Sequence, residues 1–154
     1  MKKKIIITGG LGYIGTELCK IYSGISWHHN ILVVDNRFIS GRVNQLRNWN
    51  MEFVHGDILD KELVKKYFSD ADVVHHLAGI TSVPRTKSEA SNIEDEKIRL
   101  VAEEGTKNIL GVIDNKCKII FPSTHVVYEG VKDVKIDIKE DEITKPVLSY
   151  STSK

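Results

Sequence analysis

The feature that most constrains the fold is a set of closely spaced glycines between a short apolar segment and an amphipathic one. Residues 5–7 are all isoleucine, and residues 8–15 read TGGLGYIG, with Gly9, Gly12 and Gly15 three positions apart. We predict that Gly9 forms a tight turn, that Gly12 lets a pyrophosphate approach the backbone, and that Gly15 packs a helix against a sheet. The motif therefore predicts a strand–loop–helix unit that binds a dinucleotide.

Beyond this motif, β-branched segments alternate with amphipathic ones along the chain. The predicted strands are residues 4–8, 31–35, 51–55, 72–77 and 117–122. They are nearly continuous in apolar residues, which is typical of strands that are covered on both faces. Apolar stripes at helical spacing separate them, and Asp60 is placed to cap one of the helices. The alternation predicts an α/β fold with a doubly wound parallel sheet.

Composition and charge exclude several classes of protein. Hydrophobic residues make up 41% of the chain, charged residues 28%, and the formal net charge is +1, so nothing favours a nucleic-acid partner. The apolar run after MKKK is too short for a signal peptide or a membrane span, and we expect a cytoplasmic protein. His75 and His76 are adjacent on a strand and point to opposite faces, so we predict no metal site.

A carboxylate supports the dinucleotide prediction. Asp35 ends the second predicted strand, twenty residues after Gly15. At this position a carboxylate accepts hydrogen bonds from an adenosine ribose and repels a 2′-phosphate, which favours NAD over NADP. Arg37 lies two residues further on and would neutralise such a phosphate, so NADP stays open.

Five short motifs together resemble a known family. They are TGGLGYIG, VVDN at 33–36, GDI at 56–58, HLAG at 76–79 and YSTSK at 150–154. The chain resembles the extended short-chain dehydrogenase/reductases, and within them the NAD-dependent sugar-nucleotide epimerases and dehydratases, with the UDP-glucose 4-epimerases nearest. The resemblance implies a Rossmann fold and NAD as cofactor. Together with the glycine motif and Asp35, it implies cofactor contacts from Gly9, Gly12, Tyr13, Ile14, Gly15, Asp35, Asn36, Asp57, Ile58, Leu77, Ala78, Gly79, Ser123, Tyr150 and Lys154.

The same resemblance implies a catalytic group. Tyr150 and Lys154 are spaced i, i+4 and share a helix face, where the lysine ammonium favours the phenolate needed for proton transfer. Thr124 aligns with the family's catalytic hydroxyl, with Ser123 as the alternative. Dehydratases and decarboxylases of the family carry acidic residues directly after that hydroxyl, and here His125 and Val126 follow. The pattern therefore favours an epimerase that acts by transient hydride transfer at a sugar carbinol.

Two alternatives stay open: a non-catalytic or truncated dinucleotide-binding module, and an NAD(P)-dependent reductase of another carbonyl substrate. Ile98 and Ala102 stand where the family usually has Tyr and Asn. Relatives run about twice as far, so we expect a fold cut off after its fifth strand, a fraying Tyr150 helix, and 154 residues that are not active alone. The long predicted helix, about residues 92–113, either forms a homodimer interface or packs on the sheet.

Overall fold

The structure is a computed structural model that describes residues 2–81, 92–131 and 137–154. Its strands are β1 (Lys4–Thr8), β2 (Asn30–Asp35), β3 (Glu52–His55), β4 (Val73–His76) and β5 (Lys118–Ile120). Its helices are α1 (Tyr13–Ser23), α2 (Ser40–Asn48), α3 (Lys61–Phe68), α4 (Asn92–Arg99), α5 (Gly105–Leu110) and α6 (Ser149–Thr152). A π-helical turn, Leu100–Glu104, joins α4 to α5, and a 3₁₀ turn spans His125–Tyr128. All five predicted strands are confirmed to within two residues.

The strands form one parallel sheet in the order β3-β2-β1-β4-β5. The central strand β1 pairs on both sides, so that Ile6 lies between Leu32 of β2 and Val74 of β4. The strand order reverses at β1, which in a doubly wound sheet opens a crevice at the carboxyl ends of the strands. This topology confirms the predicted doubly wound Rossmann fold.

Alternate residues of the central strands face two separate cores. Ile5 and Ile7 belong to the core beneath α1 and α2, whereas Ile6 belongs to the core beneath α3 and α5. All three side chains are at most 4% exposed, and burying each stabilises the fold by roughly 1.5–3 kcal/mol. Double-sided burial explains why the predicted strands read as continuous apolar runs. Asp60 caps α3 as predicted, accepting from the backbone N–H groups of Glu62 and Leu63 at 3.0 and 3.1 Å.

The long predicted helix is interrupted by the π-helical turn Leu100–Glu104. Ile98 and Ile109 are 2% and 0% exposed, so this helix packs one set of apolar side chains within the subunit, whereas Leu100 and Leu110 are exposed. At the start of α5 a Cβ on Gly105 would collide with the Ile58 side chain, which explains the glycine at that position. The helix therefore lies close against the segment that follows β3.

The adjacent histidines of β4 face opposite sides of the sheet, as predicted. His75 meets the Tyr22 hydroxyl at 2.7 Å, while His76 is 1% exposed. In residues 2–81, 92–131 and 137–154, no three His, Cys, Asp or Glu side chains cluster as a metal site would need. No helix within those ranges is long and apolar enough to span a membrane.

His76 joins β1, β4 and α5 through a chain of hydrogen bonds. The Thr106 hydroxyl donates to the carbonyl of Ala102, so it accepts from His76 Nε2–H at 2.9 Å. His76 Nδ1 then accepts from the Thr8 hydroxyl at 2.9 Å, and Thr8 Oγ1 accepts from the N–H of Ala78 at 3.0 Å. This network assigns the neutral Nε2–H tautomer and holds the carboxyl ends of β1 and β4 together.

The burial of the neutral His76 side chain predicts that the fold is less stable in acid. Burial, with a smaller contribution from the Lys154 charge, lowers the pKa of His76 from 6.5 to about 4. The His76 side chain is therefore protonated below pH 6.5 in the unfolded chain, whereas in the folded chain it is protonated only below about pH 4. The stability that depends on neutral His76 is complete above pH 6.5 and is lost as the pH falls toward 4.

We expect the parent chain to lose about 2 kcal/mol more free energy of unfolding between pH 7 and pH 4.5 than a His76→Gln variant. The glutamine keeps a donor and an acceptor but does not titrate. Urea denaturation at the two pH values measures the difference. Equal losses in the two proteins would contradict the assignment of a buried neutral His76.

Candidate functional site

A cleft of about 640 Å³ opens at the carboxyl ends of the strands, where the strand order reverses. Every residue predicted to contact the cofactor lines it. These residues are Gly9, Gly12, Tyr13, Ile14, Gly15, Asp35, Asn36, Asp57, Ile58, Leu77, Ala78, Gly79, Ser123, Tyr150 and Lys154. Segments far apart in the chain therefore meet at one site, and the role of each residue there stays a prediction.

A second cleft of about 660 Å³ lies at the opposite, amino-terminal edge of the sheet. Its lining includes Lys2, Arg47 and Glu52 and none of the predicted site residues. Ligands of open α/β sheets bind beyond the carboxyl ends of the strands. The first cleft is therefore the candidate site, although the two volumes are similar.

The glycine loop is shaped by close backbone approaches. Gly9 has a positive φ of 64°, and a Cβ there would lie 2.8 Å from the backbone N of Ala78. A Cβ on Gly15 would lie 2.6 Å from Gly10 Cα, so glycine lets α1 lie close to the loop after β1, while Cys19 of the same helix packs in the core on the sheet. Gly10 was missed, and a Cβ on it would collide with the side chain of Val33. The second glycine of TGG was the available signal.

The N-terminus of α1 lies at the cleft. Gly12 is the N-cap residue, and it has no side chain to cap the helix. The first N–H groups of a helix lack partners within the helix and carry the positive end of its dipole. Gly12, Tyr13, Ile14 and Gly15 all line the cleft, so this end of α1 offers donors to a diphosphate.

Asp35 is a buried carboxylate with several donors around it. Its side chain is 2% exposed and accepts from the backbone N–H of Leu11 at 2.9 Å. Arg37 donates to both carboxylate oxygens from Nε and Nη2, at 3.1 and 3.2 Å, and also from its backbone N–H at 3.0 Å. The hydrogen bond to Asp35 raises the pKa of Arg37. Ribose hydroxyls that bind Asp35 therefore have to replace the Arg37 side chain or share the carboxylate with it.

Asn36 and Asp57 lie next to Asp35 across β2 and β3. The Asn36 amide donates to Asp57 Oδ2 at 3.1 Å, and the other Asp57 oxygen accepts from the N–H of Leu59 at 3.0 Å. Ile58 is 4% exposed and belongs to the core beneath α3 and α5 while also lining the cleft. These contacts order the wall that the family resemblance assigns to the adenine.

At the other end of the cleft, Lys154 lies over two aromatic rings. Its Nζ is 4.8 Å from the ring centroid of Phe121 and 5.7 Å from that of Tyr150. A Cβ on Gly79 would lie 3.8 Å from the same Nζ, so the ammonium also lies beside the loop after β4. Burial lowers the pKa of Lys154, and the neutral His76 nearby adds no positive charge. The Nζ of Lys154 therefore lies near the Tyr150 ring, although Lys154 itself follows the end of α6 at Thr152.

The two candidate hydroxyls differ in position. Ser123 is exposed and lines the cleft, whereas Thr124 is half-buried and is not among the lining residues. Thr124 Oγ1 accepts from the N–H of Val126 at 3.3 Å and caps the 3₁₀ turn. Its hydroxyl still carries a proton to donate, so its catalytic role stays a prediction.

Sequence reasoning missed several residues of the cleft. These are Val34, Gly56, Ile80, Thr81, Val101 and Pro122, together with Arg37, which was considered only for its charge. Most adjoin a predicted site residue in the chain, so the strand ends signalled their position. Val101 gave no such signal, because it reaches the cleft from the π-helical turn.

The conformation of Gly9 predicts a stability difference between two glycines. Gly9→Ala should destabilise the chain by about 1–2 kcal/mol for the left-handed backbone alone, and more because Ala78 blocks the added methyl group. Gly41→Ala is the matched control, because nothing lies within 4 Å of its Cβ position on helix α2, and it should be neutral or stabilising. Urea denaturation compares the two variants. A Gly9→Ala variant as stable as the parent chain would contradict the loop geometry.

Known proteins match the chain in sequence. The family model for the NAD dependent epimerase/dehydratase family matches residues 5–154. The UDP-N-acetyl-alpha-D-glucosaminuronate decarboxylase of Bacillus cytotoxicus is 34% identical over 83% of this chain and 38% of its own length. The UDP-glucose 4-epimerase of Neisseria meningitidis serogroup C is 30% identical over 99% of this chain and 45% of its own length. The chain thus spans less than half the length of these relatives.

Solved structures share the fold. The UDP-glucose 4-epimerase of Bifidobacterium longum, solved with NAD⁺ and UDP, superposes with a TM-score of 0.80 at 24% identity. The match covers 99% of this chain and 46% of that one, and at this identity it establishes the fold alone. The family model spans nearly the whole sequence and agrees with the Rossmann topology. The chain therefore belongs to the NAD dependent epimerase/dehydratase family.

Proposed function

We propose that residues 1–154 form the NAD-binding Rossmann domain of a sugar-nucleotide epimerase. The observation that carries the proposal is that one cleft joins the glycine loop and Asp35 at one end to Tyr150 and Lys154 at the other. A dinucleotide is long enough to need both ends. The relatives named above act on nucleotide sugars by name, which supports the substrate class.

The chemistry of the cleft fits NAD. The uncapped N-terminus of α1 supplies donors for the diphosphate, and Asp35 supplies an acceptor for the adenosine ribose. Lys154 supplies a donor for the nicotinamide ribose. The Arg37 side chain donates to Asp35 from two nitrogens, so it has to move aside or share the carboxylate when the ribose binds.

When bound, NAD accepts a hydride from a sugar carbinol and returns it. Tyr150 takes the proton of the sugar hydroxyl and gives it back, and Lys154 stabilises the phenolate by its charge. A hydroxyl orients the reacting oxygen: the family resemblance assigns this role to Thr124, and the lining of the cleft favours Ser123. Tyr150 thus moves the proton of the sugar hydroxyl, and Lys154 and the Ser or Thr hydroxyl assist this transfer by charge and by orientation.

Among the reactions of the family, epimerisation is supported by the residues after Thr124. His125 and Val126 provide no carboxylate for elimination or decarboxylation at that point. Overall identity does not separate the reactions, since the relatives include a decarboxylase and an epimerase. A reductase of another carbonyl substrate uses the same tyrosine and lysine, and nothing in the described residues favours it over the epimerase.

We also propose that the α4 to α5 helix contributes to a homodimer. Leu100 and Leu110 on this helix are 50% and 55% exposed, although Ile98 and Ile109 are buried within the subunit. Helix α4 also packs against α6, which carries Tyr150. A dimer through this face therefore lies next to the candidate site.

The proposal predicts a preference for NAD that depends on two opposed charges. The 2′-phosphate of NADP brings negative charge to the buried carboxylate of Asp35, so the parent chain should bind NAD more tightly. Asp35→Asn keeps an acceptor for the N–H of Leu11 but removes the charge, and should narrow the preference by about tenfold. Arg37→Ala should widen it, because it removes the cation next to the phosphate. Calorimetry with both dinucleotides measures the ratio, and equal or tighter binding of NADP by the parent chain would contradict the assignment.

For activity, we expect these 154 residues to bind NAD without sustained epimerisation, because family resemblance assigns most sugar-nucleotide contacts to a later region. The test follows exchange between UDP-glucose and UDP-galactose by NMR in the presence of NAD. Sustained turnover would contradict this expectation.

In any full-length form of the protein, Tyr150→Phe should lower the rate of epimerisation by about 10²–10⁴-fold with NAD affinity nearly intact. NAD binding with no Tyr150-dependent chemistry in any form of the protein would favour the second candidate, a non-catalytic dinucleotide-binding module, which Ile98 and Ala102 also favour.

A further inference from the structure

Glu129 contacts the start of the helix that carries Tyr150. Its Oε1 accepts from the backbone N–H groups of Val147 and Leu148, at 2.8 and 2.7 Å. The Ser151 hydroxyl, 1% exposed, donates to the same oxygen. Three donors from the segment around the N-terminus of α6 therefore converge on one carboxylate.

The chain around Glu129 is built for this approach. The N–H of Gly130 donates to the carbonyl of Lys145 at 2.9 Å, and the N–H of Lys145 donates to the carbonyl of Val127 at 2.9 Å. A Cβ on Gly130 would lie 2.8 Å from the Val147 side chain, so only glycine lets the two segments lie this close. The adjacent residues Glu129 and Gly130 thus provide a carboxylate and the glycine that brings it into contact.

Glu129 contacts helix α6, Ser149–Thr152, at its first turn. The first turn is the costly step of helix formation, since nucleation orders several residues for a single hydrogen bond. In the structure this turn is formed: Thr152 N–H donates to the carbonyl of Leu148 and Ser153 N–H to that of Ser149, at 2.9 and 3.1 Å. Its expected fraying stays a prediction. A carboxylate at the N-terminal end of a helix also interacts favourably with its dipole.

We propose that Glu129 is a positioning residue that holds α6, and with it Tyr150 and Lys154, at the nicotinamide end of the cleft. The assignment of that end rests on the proposed NAD-binding function. Glu129 lies outside the lining of the cleft, so it acts through the backbone of residues 147–151. Removing its carboxylate should free α6 and leave the adenosine end unchanged.

The experiment uses the 154-residue chain and three variants: Glu129→Ala, Glu129→Gln and Glu140→Ala. Glutamine keeps an acceptor oxygen for the N–H groups, and Glu140 is an exposed glutamate preceding the same helix. Calorimetry compares NAD with ADP, which lacks the nicotinamide and its ribose and so does not reach α6. Hydrogen exchange at the amides of Thr152 and Ser153 reports on α6 without any ligand.

We expect Glu129→Ala to weaken NAD binding and to speed exchange at both amides by about tenfold, with ADP binding unchanged. Glu129→Gln should keep most of the NAD affinity and most of the protection of both amides. Glu140→Ala should match the parent chain in both measurements. Unchanged NAD affinity in Glu129→Ala, or equal losses for NAD and ADP with a lower melting temperature, would overturn the positioning role. If the parent chain binds neither NAD nor ADP, the proposed function is contradicted. In that case the exchange experiment still tests Glu129, because unchanged amide exchange in Glu129→Ala would overturn its positioning role.

Discussion

The candidate site depends on the contact between Gly9 and the backbone that follows β4. Gly9 adopts a left-handed conformation and lies so close to Leu77 and Ala78 that a methyl group would not fit. The contact places the loop before α1 directly beside the loop after β4, at the point where the strand order reverses. His76 and Thr8 reinforce it from below through buried hydrogen bonds. The two ends of the cleft are therefore set relative to each other by backbone packing, before any ligand binds.

Charge is distributed along the cleft in a way that suits an extended ligand with distinct parts. Near the glycine loop a buried carboxylate, Asp35, is balanced by Arg37, whose side chain is 55% exposed. At the opposite end a half-buried ammonium, Lys154, has aromatic rings and a neutral histidine as neighbours. Burial makes each of these charges costly to leave without a partner. The cleft therefore favours ligands that offer hydroxyls at one end and a hydrogen-bond acceptor at the other.

The sequence predicted the strands and most of the cleft lining because both depend on local patterns. Apolar runs follow from burial on both faces, and the ends of parallel strands always meet at one edge of the sheet. What the sequence did not predict concerns contacts between segments. Gly10 lies against the Val33 side chain of β2, and Val101 reaches the cleft from the π-helical turn. Neither can be read from spacing, since each depends on where another segment lies.

The sequence by itself determined the α/β alternation, the turn at the glycine motif and the four-residue spacing of Tyr150 and Lys154. These features depend on residue type and periodicity, which act over one element at a time. Only the tertiary structure decided that Arg37 covers Asp35, that His76 is buried and neutral, and that Glu129 contacts the start of α6. In each case the outcome depends on burial and on donors supplied by other segments. The energies of these polar groups are therefore properties of the folded chain and not of its local sequence.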